Sequence, residues 1–228
     1  MKERCRIRRV LPLVLLLVLG NSLWATAVER YTYIETTGDR ATEFSWNLDG
    51  TDAVTIVSER EGERYYNLCG RDGSTRLWRV LRKDTDITAV REGDSISLRG
   101  RRQGEIVDTR LRIDSSPWYQ PLSYSLRSLL EGDKRAAVFW TIRPDVFHAV
   151  KMRAERRGIL PVEVDGELVR SEQVRVSLDG FFSAFWHGDY WFRTADRVFV
   201  RYEGVHGPPG TPRTVIRLTS KPRDLNAE

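Results

Sequence analysis

Cysteine, histidine and carboxylate side chains are the groups that could do chemistry in this sequence, and the promising ones are few. Cys69 shares a strand face with Tyr65 and Asn67, just before Gly70. As a nucleophile it would need a histidine and an electropositive niche, and a single cysteine in an exported chain has no resolving partner, so a buried structural thiol is the expectation. His187 and Asp189 flank Gly188 ahead of Tyr190. They could give two metal ligands or a histidine–carboxylate pair, but a zinc site needs a third ligand and none is spaced to help; the segment reads as a polar hairpin turn. His148 alternates with Phe147 and Ala149 and shares a face with Val146, Val150 and Met152. That makes it either a hydrogen-bonded core histidine or a polar group that orients a ligand's head group in an apolar cavity. His206 falls in a Gly- and Pro-rich loop. The sequence has no Gly-rich phosphate loop after a strand, no Cys-x-x-Cys, no His-Glu-x-x-His and no Gly-x-Ser-x-Gly. A hydrolase on His187, Asp189 or Cys69 is therefore the weakest reading, and no catalytic residue, cofactor or metal is expected.

The aromatic residues say more. Trp46, Trp78, Trp118, Trp140, Trp186 and Trp191, with many Tyr and Phe, are a heavy load for one sheet, and most should be core. Phe181, Phe182, Phe185 and Trp186 differ, because they lie in a loop rather than in an alternating strand. Four bulky groups there form a lid, a rim, a surface for lipid or protein, or a plug for the sheet's open end. Trp140, His148, Phe182, Trp186 and Trp191 are the candidate ligand-binding residues.

The elements that position these groups are strands. Val174, Val176 and Leu178 alternate with Arg175, Ser177 and Asp179, then Tyr190 to Phe192, Val198 to Tyr202 and Ile216 to Leu218 follow as an antiparallel meander. Upstream, short apolar runs from Tyr31 to Ile113 are punctuated by Gly38-Asp39, Asp49-Gly50, Glu61-Gly62, Asp72-Gly73 and Glu92-Gly93, at the spacing of an all-β meander, sandwich or barrel. Val162 to Val169 around Asp165-Gly166 is the clearest hairpin. One helix is expected, from the spacing of Leu122, Leu126, Leu129 and Leu130, ending at Glu131-Gly132. It is short, so its leucine face must lie against the sheet. The fold class is mainly β: a large curved antiparallel meander, half-barrel or open barrel, with one short helix packed on it.

Residues 1–27 read as a signal peptide. Lys2, Arg4, Arg6, Arg8 and Arg9 precede an apolar run from Leu11 to Leu19, and Ala25-Thr26-Ala27 offers a cleavage site. Residues 28–220 then form a single β-rich domain and residues 221–228 a polar tail, in a periplasmic protein. Of the 37 basic and 32 acidic residues, the signal removes five basic and one acidic, leaving a nearly neutral chain, so nucleic acid is not an expected partner. Removing Cys5 leaves Cys69 alone, so the core rather than a disulfide must hold the fold.

The stretch from Leu160 to Leu218, with its hairpin, Tyr190-Trp191-Phe192, the turn at Asp196 and Gly207-Pro208-Pro209-Gly210-Thr211-Pro212, resembles uncharacterised bacterial envelope proteins of a domain-of-unknown-function family. Phe139-Trp140-Thr141-Ile142-Arg143-Pro144 fits the same pattern. Such proteins are similar in fold to the periplasmic lipoprotein-carrier half-barrels, which implies a curved antiparallel sheet with an apolar concave side. The resemblance supplies no catalytic residues. Two functions follow as expectations: a non-enzymatic envelope protein binding an apolar ligand such as a lipid or acyl chain, or a lipoprotein, and an interaction module for an envelope protein partner.

Overall fold

A computed structural model describes residues 28–50, 53–180, 186–205 and 211–219. The proposed signal segment, the polar tail, Phe181, Phe182, Phe185 and His206 lie outside the described residues. The strands are β1 (Val28–Thr37), β2 (Arg40–Asp49), β3 (Ala53–Arg60), β4 (Glu63–Gly70), β5 (Thr75–Arg82), β6 (Thr85–Glu92), β7 (Ser95–Arg102) and β8 (Glu105–Arg112). Two helical turns, α1 (Leu122–Ser125) and α2 (Arg127–Glu131), come next where one helix was expected, abutting at Leu126. Then follow β9 (Ala136–Arg143), β10 (His148–Val164), β11 (Glu167–Leu178), β12 (His187–Arg193), β13 (Phe199–Val205) and β14 (Arg213–Thr219).

All 14 strands form one antiparallel sheet in the order β8-β7-β6-β5-β4-β3-β2-β1-β14-β13-β12-β11-β10-β9. Two meanders are thus joined by a pairing that only the first and last strands could make: Tyr33 opposite Leu218 and Glu35 opposite Ile216. Strands adjacent in sequence pair with each other everywhere else, except that β8 and β9 are the two edges.

The sheet rolls over itself like a scroll. Phe139, Met152 and Ala154, on one face of β9 and β10, join a large core with Tyr33, Trp46, Leu48, Ile56, Val174, Val176 and Tyr202. Trp140, Ile142 and Ala149, on the opposite face of the same two strands, join a second core with Trp78, Val80, Ile87, Ile96 and Leu98 from β5 to β7. One end of the sheet is therefore tucked inside the other, so alternate residues of β9 are buried on both sides. This is why Ala136 to Trp140 reads as an unbroken apolar run rather than as an alternation.

The helical turns fill the larger core. Leu126, Leu129 and Leu130 are between 0% and 4% exposed, and Tyr119 packs against Phe139 with tilted rings at 5.1 Å between centroids. Their seat is the β4–β5 turn: Ser125 Oγ donates to the Gly73 carbonyl at 2.7 Å. Gly73 has φ +78°, and a Cβ there would meet the Ser125 carbonyl oxygen at 2.6 Å, so both conformation and space call for glycine.

The edges are treated differently. At β9, the segment Pro117 to Gln120 runs alongside: Trp140 N–H donates to the Pro117 carbonyl and Tyr119 N–H to the Trp140 carbonyl, each at 2.8 Å. The Gln120 side chain continues this pairing. Its Nε2 donates to the Ile142 carbonyl at 2.8 Å and its Oε1 accepts from Ile142 N–H at 2.9 Å. Among the described residues strand β8 has no such cover, and Ile106 on it is 77% exposed.

Candidate functional site

Cys69 sits on the inner face of β4, fully buried, with its Sγ 3.8 Å from Thr75 Oγ1. Burial pushes its thiol up to about 12, partly countered by Thr75, so it is a thiol and not a thiolate at neutral pH. The cysteine is buried, as its place in the strand predicts.

His148 keeps the face that its alternation predicts, with Val150 and Met152, but at the first position of β10 it is exposed. Phe147 adopts a left-handed conformation, φ +55°, in the turn that ends with its N–H donating to the Arg143 carbonyl at 2.8 Å. This inserts Phe147 into the second core, 6.1 Å from the Trp78 ring and beneath the Arg102 guanidinium at 5.3 Å. Val146 thereby leaves the ladder, β10 starts at His148, and the imidazole is exposed opposite Arg143. It is neither a core histidine nor a cavity residue.

Trp140 lies between the overlapping layers. Its Nε1 donates to Asp114 Oδ1 at 2.9 Å, and Lys151 Nζ stands 5.6 Å from its ring while pairing with the same carboxylate. The Lys151 bond, then those from Trp140 and Ser116, hold Asp114 far below the usual carboxylate range. Trp186 is half-buried, with its Nε1 donating to the Val205 carbonyl. The described members of the candidate ligand-binding set therefore do not converge: Trp140 and His148 sit on β9 and β10, Trp186 and Trp191 on β12 or beside it.

His187 and Asp189 are in a strand rather than a turn, one residue apart on the same face of β12 as Trp191. Asp189 is taken by arginine instead of histidine. Its two oxygens accept from Arg175 Nε at 2.9 Å and Nη2 at 3.0 Å, a forked pair that strengthens the positive charge of Arg175. Glu155, Arg175, Asp189 and Glu203 stand opposite one another on four adjacent strands. Glu203 in turn pairs with Arg201 and Arg213. The Arg201 guanidinium lies 5.9 Å over the ring of Trp191, a cation–π contact. A groove of about 550 Å³ opens over this lattice, lined by Arg153, Glu155, Arg157, Arg175, Asp179 and His187. Its polar, charge-alternating wall suits a polar partner and not an acyl chain.

The sequence reading missed Arg127. It stands among the helix leucines, 8% exposed, with Nη1 donating to both oxygens of Glu29 at 3.0 and 2.9 Å and its guanidinium between Trp46 and Tyr124. A lone arginine inside a leucine-spaced stretch was the available signal. Among the described residues no group of three or more His, Cys, Asp or Glu is arranged to hold a metal ion, and no helix is long and apolar enough to cross a membrane.

Searches with the sequence against family models and curated proteins match nothing. Solved structures do match. The chain is similar to a β-barrel-like protein of the domain of unknown function DUF1849 from Brucella abortus, with TM-score 0.54 over 83% of this chain and 94% of that one. The two share the fold. Their identity is only 10%, so the likeness carries fold and not function. A DUF1329 family protein from Desulfovibrio piger covers 85% of this chain at 10% identity, with TM-score 0.28. The expected likeness to an uncharacterised domain of unknown function is thus met at the level of fold, and the open, curved antiparallel sheet is as expected.

Proposed function

We propose that this is a non-enzymatic protein of the bacterial envelope, exported by residues 1–27, that works as an interaction module for another envelope protein. The observation that carries this reading is the division of labour between the two faces of the sheet. The concave side, where a carrier would hold a lipid, is filled by the chain's own Tyr119, Leu126, Leu129 and Leu130 against Tyr33, Trp46 and Phe139. The other face, over β10 to β13, carries Arg175, Arg201 and Arg213 paired with Asp189 and Glu203, with Trp191 half-buried under Arg201 at the margin of the larger core; tryptophan and arginine are residue types that anchor protein interfaces. A photo-crosslinking residue placed at Trp191 in the cell is expected to capture one defined protein, and capture is expected to fail when Arg175→Glu is added. Crosslinking unchanged by Arg175→Glu would remove this face from consideration.

A second reading keeps the apolar ligand. Leu178, Trp186 and Tyr190 are only partly buried at the margin of the larger core, and an acyl chain could enter there with Trp186 as its gate. A defined lipid released from the detergent-free protein, and lost in Trp186→Ala, would favour it.

A further inference from the structure

We propose that the open edge strand β8 pairs antiparallel with β8 of a second copy of this chain, about a two-fold axis through Thr109. This goes beyond the binding face proposed above, which lies at the other end of the sheet.

The backbone sets which residues can pair. Ile113 N–H donates to the Asp94 carbonyl at 3.0 Å, on the β7 side. In an antiparallel ladder the peptide groups of alternate residues point to opposite neighbours, so Glu105, Val107, Thr109 and Leu111 bond β7 while Ile106, Asp108, Arg110 and Arg112 direct theirs away from it. Among the described residues no strand pairs with β8 on that side. The other edge of the sheet, β9, is covered by Pro117 to Gln120, so β8 is the edge left available.

Charges along an edge ordinarily keep strands apart. Here their order selects a partner. A register centred on Asp108 sets Asp108 against its own copy, and one centred on Arg110 sets Arg110 against its own copy; both oppose like charges. Centring on Thr109 sets Asp108 opposite Arg110 twice and Ile106 opposite Arg112 twice. All four are pairs whose backbone groups face each other, which gives about eight new ladder hydrogen bonds. On the inner face the same register puts Val107 opposite Leu111, and both are already partly buried against the second core. Both partners are held at the surface: Asp108 lies 3.6 Å from Arg99, with the two side chains 75% and 71% exposed, and Arg110 pairs with Glu92 while its own side chain is 63% exposed, so it would share its charge between Glu92 and Asp108 of the second copy. In the dimer Asp108 would lie between Arg99 of its own sheet and Arg110 of the second copy.

Sedimentation equilibrium of the mature chain over a wide concentration range tests this. The expected result is a reversible monomer–dimer equilibrium, weakened about tenfold or more by Asp108→Arg. Combining Asp108→Arg with Arg110→Asp restores opposite charges in the same register and is expected to bring the dimer back. A Thr109→Cys chain is expected to form an intermolecular disulfide under copper phenanthroline oxidation, since a pair at the axis has the short Cα separation a disulfide needs. A monomer at every concentration, a double variant as weak as the single one, or no Thr109→Cys crosslink in a folded protein would overturn the proposal.

Discussion

The phenolic hydroxyl of Tyr33 donates to the main-chain carbonyl of Phe199 at 3.1 Å, across 166 residues of sequence. Their rings lie 5.4 Å apart, and Phe199 in turn meets Phe192 and Tyr190. This contact ties the N-terminal meander to the C-terminal one beside the β1–β14 seam. Burial of Tyr33 at 1% exposure, above all, pushes its hydroxyl far above the ordinary tyrosine range, so it is a donor at every working pH. Tyr33→Phe keeps the ring and leaves a buried carbonyl without this donor, and should cost about 1–3 kcal/mol in urea unfolding. A variant as stable as the parent would show that the seam does not depend on the bond.

The helical turns are expected to behave as core. Leu126→Ala should destabilise the protein by about 2–5 kcal/mol, because the surrounding strands of a rolled sheet collapse poorly onto a cavity. Urea denaturation followed by tryptophan fluorescence reads this directly. A loss well under that range would mean that the leucine face is a removable lid over a space that something else can occupy.

Cys69 should be silent in the folded protein. With its thiol pushed up to about 12 and no surface exposed, alkylation at pH 8 is expected only as fast as the chain opens, and rapidly in denaturant. Fast modification of the native protein, followed by mass, would contradict the placement of β4.

The Asp114 cluster carries a pH dependence of definite sign. Lys151, Trp140 and Ser116 depress the Asp114 pKa in the folded chain, so its contribution is present above the unfolded value of about 4 and is lost as pH falls through the folded value. Wild-type stability should therefore decline more steeply than that of Asp114→Asn between about pH 5 and pH 2. Parallel declines would mean that the cluster is fully screened by solvent.

Much of this fold is legible in the sequence, because strand alternation and turn glycines are local. The Asp165-Gly166 hairpin appears as expected, with Asp165 and Gly166 both at positive φ. What the sequence does not disclose is long-range. Nothing in Tyr31 to Ile34 marks it as the neighbour of Ile216 to Leu218, and the burial of Trp140 and Phe139 on opposite faces of one strand follows only from the roll of the sheet. The exposure of His148 has a local reason that alternation does not show: a turn ending in Phe147 at positive φ, which is rare for a bulky residue, separates Val146 from the strand and leaves His148 at its open end. His187 and Asp189 read as a turn in the sequence because Gly188 lies between them. In the structure Gly188 faces Gly204 across the ladder, and a Cβ on either would meet the Tyr202 ring or hydroxyl, at 2.7 and 2.2 Å. That glycine makes room for an aromatic side chain inside a strand.

The central claim is that the concave side of the scroll is a finished core and that the protein works through its outer surface. The most direct test is to purify the protein from cells without detergent and compare its native mass with that of its organic-solvent extract. The account predicts a folded protein at the mass of the bare polypeptide, or a whole-number multiple of it, with no lipid in stoichiometric amount. A defined lipid recovered at one per chain would contradict it and return the function to that of a carrier.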